Sequence, residues 1–334
     1  MSRPFVPHGR RVVAVVVLVP VLVALALCAF AWPAARTAAR DLPLGVAGPP
    51  TALAQLEQRL TQREGAFEIH RYADEAAARD AIEDRTVYGA VVAGDRGAKL
   101  LTASAASPSV AQLLQQAVTG QAAATGTPVQ VVDVVPAPEA DPRGAALGAS
   151  VLPLALAGIA TGAVVTLLGL RGVRAVVAVA GAAASTGAVA AAVAHSWLGV
   201  VTGDWWAVAG VLGLSALAVG AGVAGLGALF GRAGLGLGAA VIMLLGNPFS
   251  GASSAPQMLP RPAGAIGQWL PPGAGGSLLR SVSFFDGAAA TGPALTLTCW
   301  SLLGLGAVLL GGALRHRAHG ASPAPDRTPA PAAS

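Results

Sequence analysis

Six runs of the chain are almost free of charge: Val12–Trp32, Leu147–Leu170, Val173–Ala194, Trp205–Phe230, Ala233–Asn247 and Thr291–Leu314. Arg174, at the edge of the third, is their one ionised side chain. Five of the runs reach the ~20 residues that a helix needs to cross a hydrocarbon core. Ala233–Asn247 is shorter, yet no charge follows it until Arg261, and it spans if the helix includes Asn247. The pattern predicts six transmembrane helices. The first is expected to be an uncleaved signal anchor, because its apolar run exceeds the roughly 7–15 residues of a cleaved signal.

Between the first two runs the periodicity changes. LPLGVAG (42–48) reads as a strand. PPTALAQLEQRLTQREG (49–65) opens on prolines, closes on Gly65 and sets Leu53, Leu56 and Leu60 on one face, which predicts a helix. AFEIHRY (66–72) alternates as a strand, and DEAAARDAIEDR (74–85) reads as a helix with acids in its first turn, where the dipole favours them. VYGAVVAG (87–94) and AKLLTAS (98–104) read as strands joined at Gly94–Asp95–Arg96–Gly97. SPSVAQLLQQAVTGQAA (107–123) has Ser107 as N-cap and Pro108 at the first helical position, and PVQVVDVVP (128–136) closes the series as a strand. The order βαβαββαβ predicts a small α/β domain, linked to the second membrane helix by PAPEADPRG (136–144).

Composition agrees with a membrane chain. The 334 residues are 54% hydrophobic and 11% charged, against roughly 25% charged in soluble domains. Arginine placement fixes an orientation. Arg3, Arg10 and Arg11 precede the first helix, Arg171 and Arg174 separate the second and third, and Arg232 separates the fourth and fifth. Arg315, Arg317 and Arg327 follow the last. With six spans these arginines share one side, the cytoplasm by the positive-inside bias. Both termini are then cytoplasmic and residues 33–146 extracytoplasmic. Trp197, Trp205 and Trp206 in the opposite loop suit an interfacial aromatic belt. The net charge of +5 is spread as topology signals, with no interleaved aromatics or recognition motif for nucleic acid.

Catalytic motifs are missing. The single lysine, Lys99, lies in no Gly-Lys-Ser/Thr sequence, so the chain has no P-loop and ATP hydrolysis is not expected of it. No HExxH, paired CxxC or GxSxG occurs, and no cofactor is expected. Cys28 and Cys299 fall in apolar spans and read as packing residues. His70 and Glu68 share a strand face, which reads as solvated rather than as an acid/base pair. Asp80, Glu83 and Asp84 alternate with Arg79 and Arg85 and read as a salt-bridged helix surface. His316 and His319 lie in a Pro/Ala tail expected to be disordered. The membrane runs lack the interior charges of ion-coupled transporters. Glycine is abundant in the fourth helix, where Gly227 and Gly231 form a GxxxG pair.

One polar break stands out, QWLPPGAGGSLLRSVSFFDG (268–287). The Pro-Pro-Gly sequence reads as a turn. Leu278, Leu279, Val282 and Phe285 follow at helical spacing with Arg280 and Ser283 elsewhere on the wheel. This predicts a short amphipathic helix at the outer interface or dipping into it.

One apolar helix, a large external α/β domain, then five more helices: this order resembles the ABC-2 type exporter permeases. Within them it is similar to the branch with a large extracellular domain after the first helix, the YhgE/Pip-like proteins of actinobacterial type. LPLGVAG and YADEAAARDAIEDRTVYGAVVAG (72–94) look like segments of that external domain. GNPFSGASSAPQMLPRPAGAIGQWLPPGAGGSLLRSVSFFDG (246–287) looks like the Asn-Pro-x-Ser-Gly … Leu-Pro-Pro-Gly-Ala … Arg-Ser-x-x-x-Phe-Asp stretch before the last helix. The resemblance implies a permease subunit of a bacterial plasma-membrane exporter, paired with a separate ATPase and dimeric with a like or unlike permease. It makes Arg171, Gly172 and Arg174 the candidate ATPase-coupling loop. Asn247, Pro248, Pro271, Pro272, Gly273, Arg280, Phe285 and Asp286 become the candidate outer gate, in a re-entrant or interfacial segment over 248–289. Two features depart from the family pattern. MSRPFVPHGRR is short for an amphipathic N-terminal helix, and Leu-Arg-Gly-Val-Arg (170–174) is little more than a turn.

The expected layout is residues 1–32 as N-terminus and first helix, 33–146 as the external domain, 147–314 as a five-helix membrane domain and 315–334 as a disordered cytoplasmic tail. The alternative function is a non-transporting membrane protein whose external domain binds a cell-surface or secretion partner. A membrane enzyme is a third reading, with Arg280, Asp286 and His70 too scattered to name a reaction.

Overall fold

A computed structural model of the protein describes residues 8–51, 53–54, 58, 65–94, 97–126 and 129–320. The first apolar run forms α1 (His8–Ala35), three residues beyond the expected domain boundary at 32. Its valines and leucines are exposed along its whole length. A helix apolar on every face is stable only in an apolar solvent. The second run forms α4 (Ala145–Leu167). The third forms α5 (Gly172–Ala191), continued by a π-helical turn, Ala192–Trp197. The fourth forms α6 (Trp205–Phe230), with Asp204 capping its N-terminus through the Ala207 amide. The fifth forms α7 (Arg232–Ala240), continued by a π-helical turn, Val241–Gly246. The last forms α10 (Thr291–Gly320).

Five of these helices are long and apolar enough to cross a membrane. Arg232–Gly246 is the shorter apolar one; at about 1.5 Å per residue it covers roughly 22 Å of a ~30 Å core. Residues 315–320, expected in a disordered tail, continue α10. Ala, Arg and His all tolerate a helix, and the first proline beyond is Pro323. Residues 321–334 lie outside the described residues, as do most of the expected helix over 49–65, including Leu56 and Leu60, and the turn residues Asp95 and Arg96.

The bundle is built around α6, the most buried of the long helices. Small residues let neighbouring backbones approach it closely. A Cβ on Gly187 of α5 would overlap the backbone at Ala209 and Gly213, and one on Gly304 of α10 the backbone at Ala221. A Cβ on Gly158 of α4 would overlap the Val219 side chain. The GxxxG pair read from the sequence splits: Gly227 packs against Thr166 and Leu235, but Gly231 is the hairpin between α6 and α7, with φ 63°. Only glycine takes that conformation without strain. Cys28 and Cys299 are exposed on the outer faces of their helices rather than packed inside.

The contacts give each helix a direction. On α4, Gly158, Gly162 and Thr166 meet Val219, Ala224 and Gly227 in turn, so α4 runs parallel to α6. Trp300, Gly304 and Gly311 of α10 meet Gly222, Gly225 and Ala228, so α10 is parallel as well. α7 is antiparallel, with Gly234 at Leu226 and Ile242 packed with Val219.

The α/β unit follows α1. Its strands are β1 (Leu42–Ala47), β2 (Phe67–Tyr72), β3 (Gly89–Gly94), β4 (Gly97–Thr102) and β5 (Val129–Asp133). They form one sheet in the order β2-β1-β3-β4-β5, parallel except for the β3–β4 hairpin. β1 is almost wholly buried, as an interior strand covered on both faces must be, while the edge strands β2 and β5 have no fully buried residue. One face packs on α2 (Glu75–Glu83) through Ala78, Ala81 and Ile82, the other on α3 (Pro108–Thr125) through Val110 and Leu114. Asp74 caps α2 and Ser107 caps α3.

Candidate functional site

Residues 247–290 leave the bundle and return to it. The chain departs after Gly246, passes a 3₁₀ turn (Pro256–Met258), and comes back through α8 (Ala263–Gln268) and α9 (Pro271–Phe284). Gly246 touches Pro272, so α9 begins beside the place where α7 ends. Gly275 then meets Ser215, and Val282 and Ser283 meet Gly203. α7 thus accompanies the far half of α6, and α9 the half nearest the sheet. The two are one broken traverse of the bundle, interrupted by an excursion.

Pro271 and Pro272 are the first two residues of α9, not a turn that ends a segment. Proline is well suited to this position because the first amides of a helix have no partner within it, and proline has none to leave unpaired. Nor is α9 an interfacial amphipathic helix: it is buried on nearly every face. At roughly 100° per residue, Leu278, Leu279 and Val282 point into the bundle. The opposite stripe of Ser277, Arg280 and Ser281 points at protein: the Ser277 hydroxyl donates to Gln268 Oε1 at 2.6 Å, and Arg280 donates to the Ala252 carbonyl. A polar stripe needs no water when another part of the chain supplies the acceptors.

The excursion completes the core of the sheet unit on one face and the end of α9 completes it on the other. Ala255 and Met258 join Leu42, Leu44 and Leu100 on one side, and Phe285 joins Ala78, Ile82 and Leu101 on the other. The amides of Ala38 and Arg40 donate to the carbonyls of Met258 and Gln257, both at 3.0 Å. Arg85 was expected on a salt-bridged surface of α2. Only Arg79 lies there, 3.8 Å from Glu75, while Lys99 pairs with Glu75 at 2.7 Å. Arg85 stands just past the helix with φ 59° and turns toward α9, donating to the Ser277 carbonyl at 3.0 Å. Its burial pulls the guanidinium pKa down from the ordinary value. Burial pushes the hydroxyl of nearby Tyr88 up, and Arg85 and Arg280 pull it partly back.

The other candidate residues fall into three places. Asn247 and Pro248 line a cavity of about 450 Å³ between the end of α1 and the start of the excursion, with Phe30, Thr37 and Ser253. Phe285 is buried and Asp286 exposed, with φ 49° at the turn after α9. At the far end of the bundle Arg171 and Gly172 open α5, and Arg174 is exposed. Arg171 and Arg315 line a cavity of about 70 Å³ there. A third, apolar cavity of about 660 Å³ opens between α4 and α5, walled by Leu147, Pro153, Val189, Leu198, Leu212 and Leu279. His70 and Glu68 lie 3.5 Å apart on the edge strand β2, partly exposed. Among the described residues no cluster of three His, Cys, Asp or Glu side chains is placed to hold a metal. Sequence reasoning missed Arg85, Tyr88 and Gln257; nothing in their local pattern marks them, since their partners lie some 170 to 200 positions away.

Five apolar helices of membrane-crossing length, three of them packed around a central fourth, with a small sheet unit at one end, define a multi-pass membrane protein. The chain belongs to the ABC-2 family transporter proteins, whose model matches residues 10–315. No curated protein and no solved structure matches it.

Proposed function

We propose that the chain is the membrane-spanning permease subunit of an ABC-2 type exporter, moving a substrate outward with energy from a separate ATPase subunit. The family match over residues 10–315 carries this reading. The chain crosses the membrane six times when α7 and α9 count as one broken crossing. Both termini then lie in the cytoplasm and the sheet unit outside, which agrees with the arginines at the far end of the bundle. The site at 247–290 serves as the outer gate, and the α4–α5 link carrying Arg171, Gly172 and Arg174 faces the ATPase. The permease works as a homo- or heterodimer. Purification in mild detergent is expected to retain an ATPase, and Arg171→Ala or Arg174→Ala to reduce its substrate-stimulated hydrolysis. Absence of any associated ATPase would overturn the reading. Alkaline phosphatase fused after Asp141 is expected to be active, and fused after Gly320 inactive; activity at both would overturn the six crossings.

One observation favours a second reading. Only Leu168–Arg171 separate α4 from α5, with no helix in the link to dock an ATPase. On that reading the chain does not transport, and the sheet unit binds a cell-surface or secretion partner. Partner capture by the full-length protein with no ATPase present would favour it.

A further inference from the structure

Three parts of the chain meet where the sheet unit sits on the bundle, and hydrogen bonds close a ring through them. Arg85 of the sheet unit donates to the Ser277 carbonyl and to the Ser281 hydroxyl of α9, and its guanidinium lies 5.3 Å from the centre of the Phe285 ring. Arg280 of α9 donates to the Ala252 carbonyl of the excursion. Tyr88 of the sheet unit donates to Gln257 Oε1 of the excursion at 2.9 Å. Sheet unit, α9 and excursion are therefore each bonded to the other two.

The two guanidiniums share an unusual property. Among the described residues neither has a carboxylate within 4.0 Å; the ion pairs His70–Glu68, Arg79–Glu75, Lys99–Glu75 and Arg261–Asp41 lie elsewhere. The cavity beside Arg280 holds about 10 Å³, room for one water and not for an oxyanion. Each cation is held only by neutral acceptors belonging to a different part of the chain. Guanidinium bonds to neutral oxygens are directional and strong enough to fix a position, yet lack the deep Coulombic well of a buried ion pair. Arg85 reaches its partners from the left-handed backbone region, a conformation that a non-glycine residue keeps only where the surroundings hold it. The apolar contacts act in the same direction, because Phe285 plugs one core of the sheet unit and Met258 the other.

We propose that Arg85, Tyr88 and Arg280 form a three-way joint that makes the sheet unit, the excursion and α9 one moving body. A ligand or partner that shifts the sheet unit thereby shifts α9. That motion changes both cavities bordered by this body: the 450 Å³ cavity lined by Ser250–Ser254 and the apolar one walled by Leu279. Arg85 is the positioning residue of the joint. The inference concerns coupling within the chain and does not depend on an ATPase partner or on the direction of transport.

Hydrogen exchange followed by mass spectrometry on the full-length protein in detergent tests it. Arg85→Ala is expected to speed exchange of the α9 amides, residues 271–284, about 10-fold or more, with β3 and β4 unchanged. Ser281→Ala, which removes one of the same bonds from the bundle side without touching the sheet unit, is expected to speed the same amides to a lesser degree. The double variant is expected to exchange no faster than Arg85→Ala alone, because that substitution already removes the shared bond. Unchanged α9 exchange in both single variants would overturn the proposal. A rise in β3 and β4 equal to that in α9 would overturn it as well, since that marks ordinary loosening of the sheet unit. Additive effects in the double variant would show that Arg85 and Ser281 act separately, with the same consequence.

Discussion

Gly187 and Gly181 lie on the same helix and do different things. A Cβ on Gly187 would run into the α6 backbone, whereas nothing lies within 4 Å of one on Gly181. Gly187→Ala is expected to destabilise the bundle by about 1–3 kcal/mol through overpacking. Gly181→Ala is expected to stabilise it by up to about 1 kcal/mol through helix propensity. Thermal unfolding in detergent micelles compares the two. Tyr88 gives a pH signature. Its folded pKa is raised, so its neutral form is favoured by folding. That contribution is fully present below the unfolded value near 10 and is lost as pH rises through the folded one. Stability is expected to fall above about pH 10. Tyr88→Phe should flatten the part of that slope due to Tyr88, leaving the part due to Tyr72, whose pKa burial also raises. At this scale the sequence was least legible. Which glycines touch backbone and which face open space depends on the helix opposite, and the same letter marks both.

Helix caps differ in weight according to burial. The buried Asp141 accepts from the amides of Ala145, Ala146 and Leu147 at 2.8, 2.9 and 3.3 Å, and so anchors the start of α4. The Asp74 cap of α2 accepts from Ala77 alone, at an exposed site. Asp141→Ala is expected to lower stability by up to about 2 kcal/mol and Asp74→Ala by nearer 0.5 kcal/mol, measured by denaturant unfolding of the full chain. Element positions were largely readable. α6 coincides with its charge-free run because Asp204 and Arg232 bracket it, and the strands of the sheet unit lie close to their alternating segments. The character of α9 was not readable. Its Ser-Arg-Ser stripe has the same spacing whether it faces water or the carbonyls of a distant loop, and only the excursion's path decides which. The position of Arg85 was hidden for a related reason: one left-handed residue after α2 redirects a side chain that helical periodicity assigns to the α2 surface.

The sheet unit and the bundle are less separable than their composition implies. Ala255, Met258 and Phe285 are buried in the two cores of the sheet unit although they lie more than a hundred residues beyond it. A fragment of residues 42–136 lacks all three. Each truncated core then exposes the area those side chains cover, at about 25 cal/mol per Å². The fragment is expected to melt at a lower temperature than the same unit in the full chain, followed by circular dichroism on the fragment and by hydrogen exchange on the whole protein. An equal melting temperature would show that the plugs contribute nothing. The broken traverse has a consequence of another kind. A gap in a membrane-crossing helix exposes backbone dipoles, and unpaired amides recruit the water along which protons and ions pass. At this gap Pro271 and Pro272 carry no amide hydrogen, and the Ala274 amide is already bonded to the Leu270 carbonyl at 3.1 Å. On the proposed six-crossing topology, the start of α9 therefore leaves few unpaired amides of its own for water to hold where the traverse is cut.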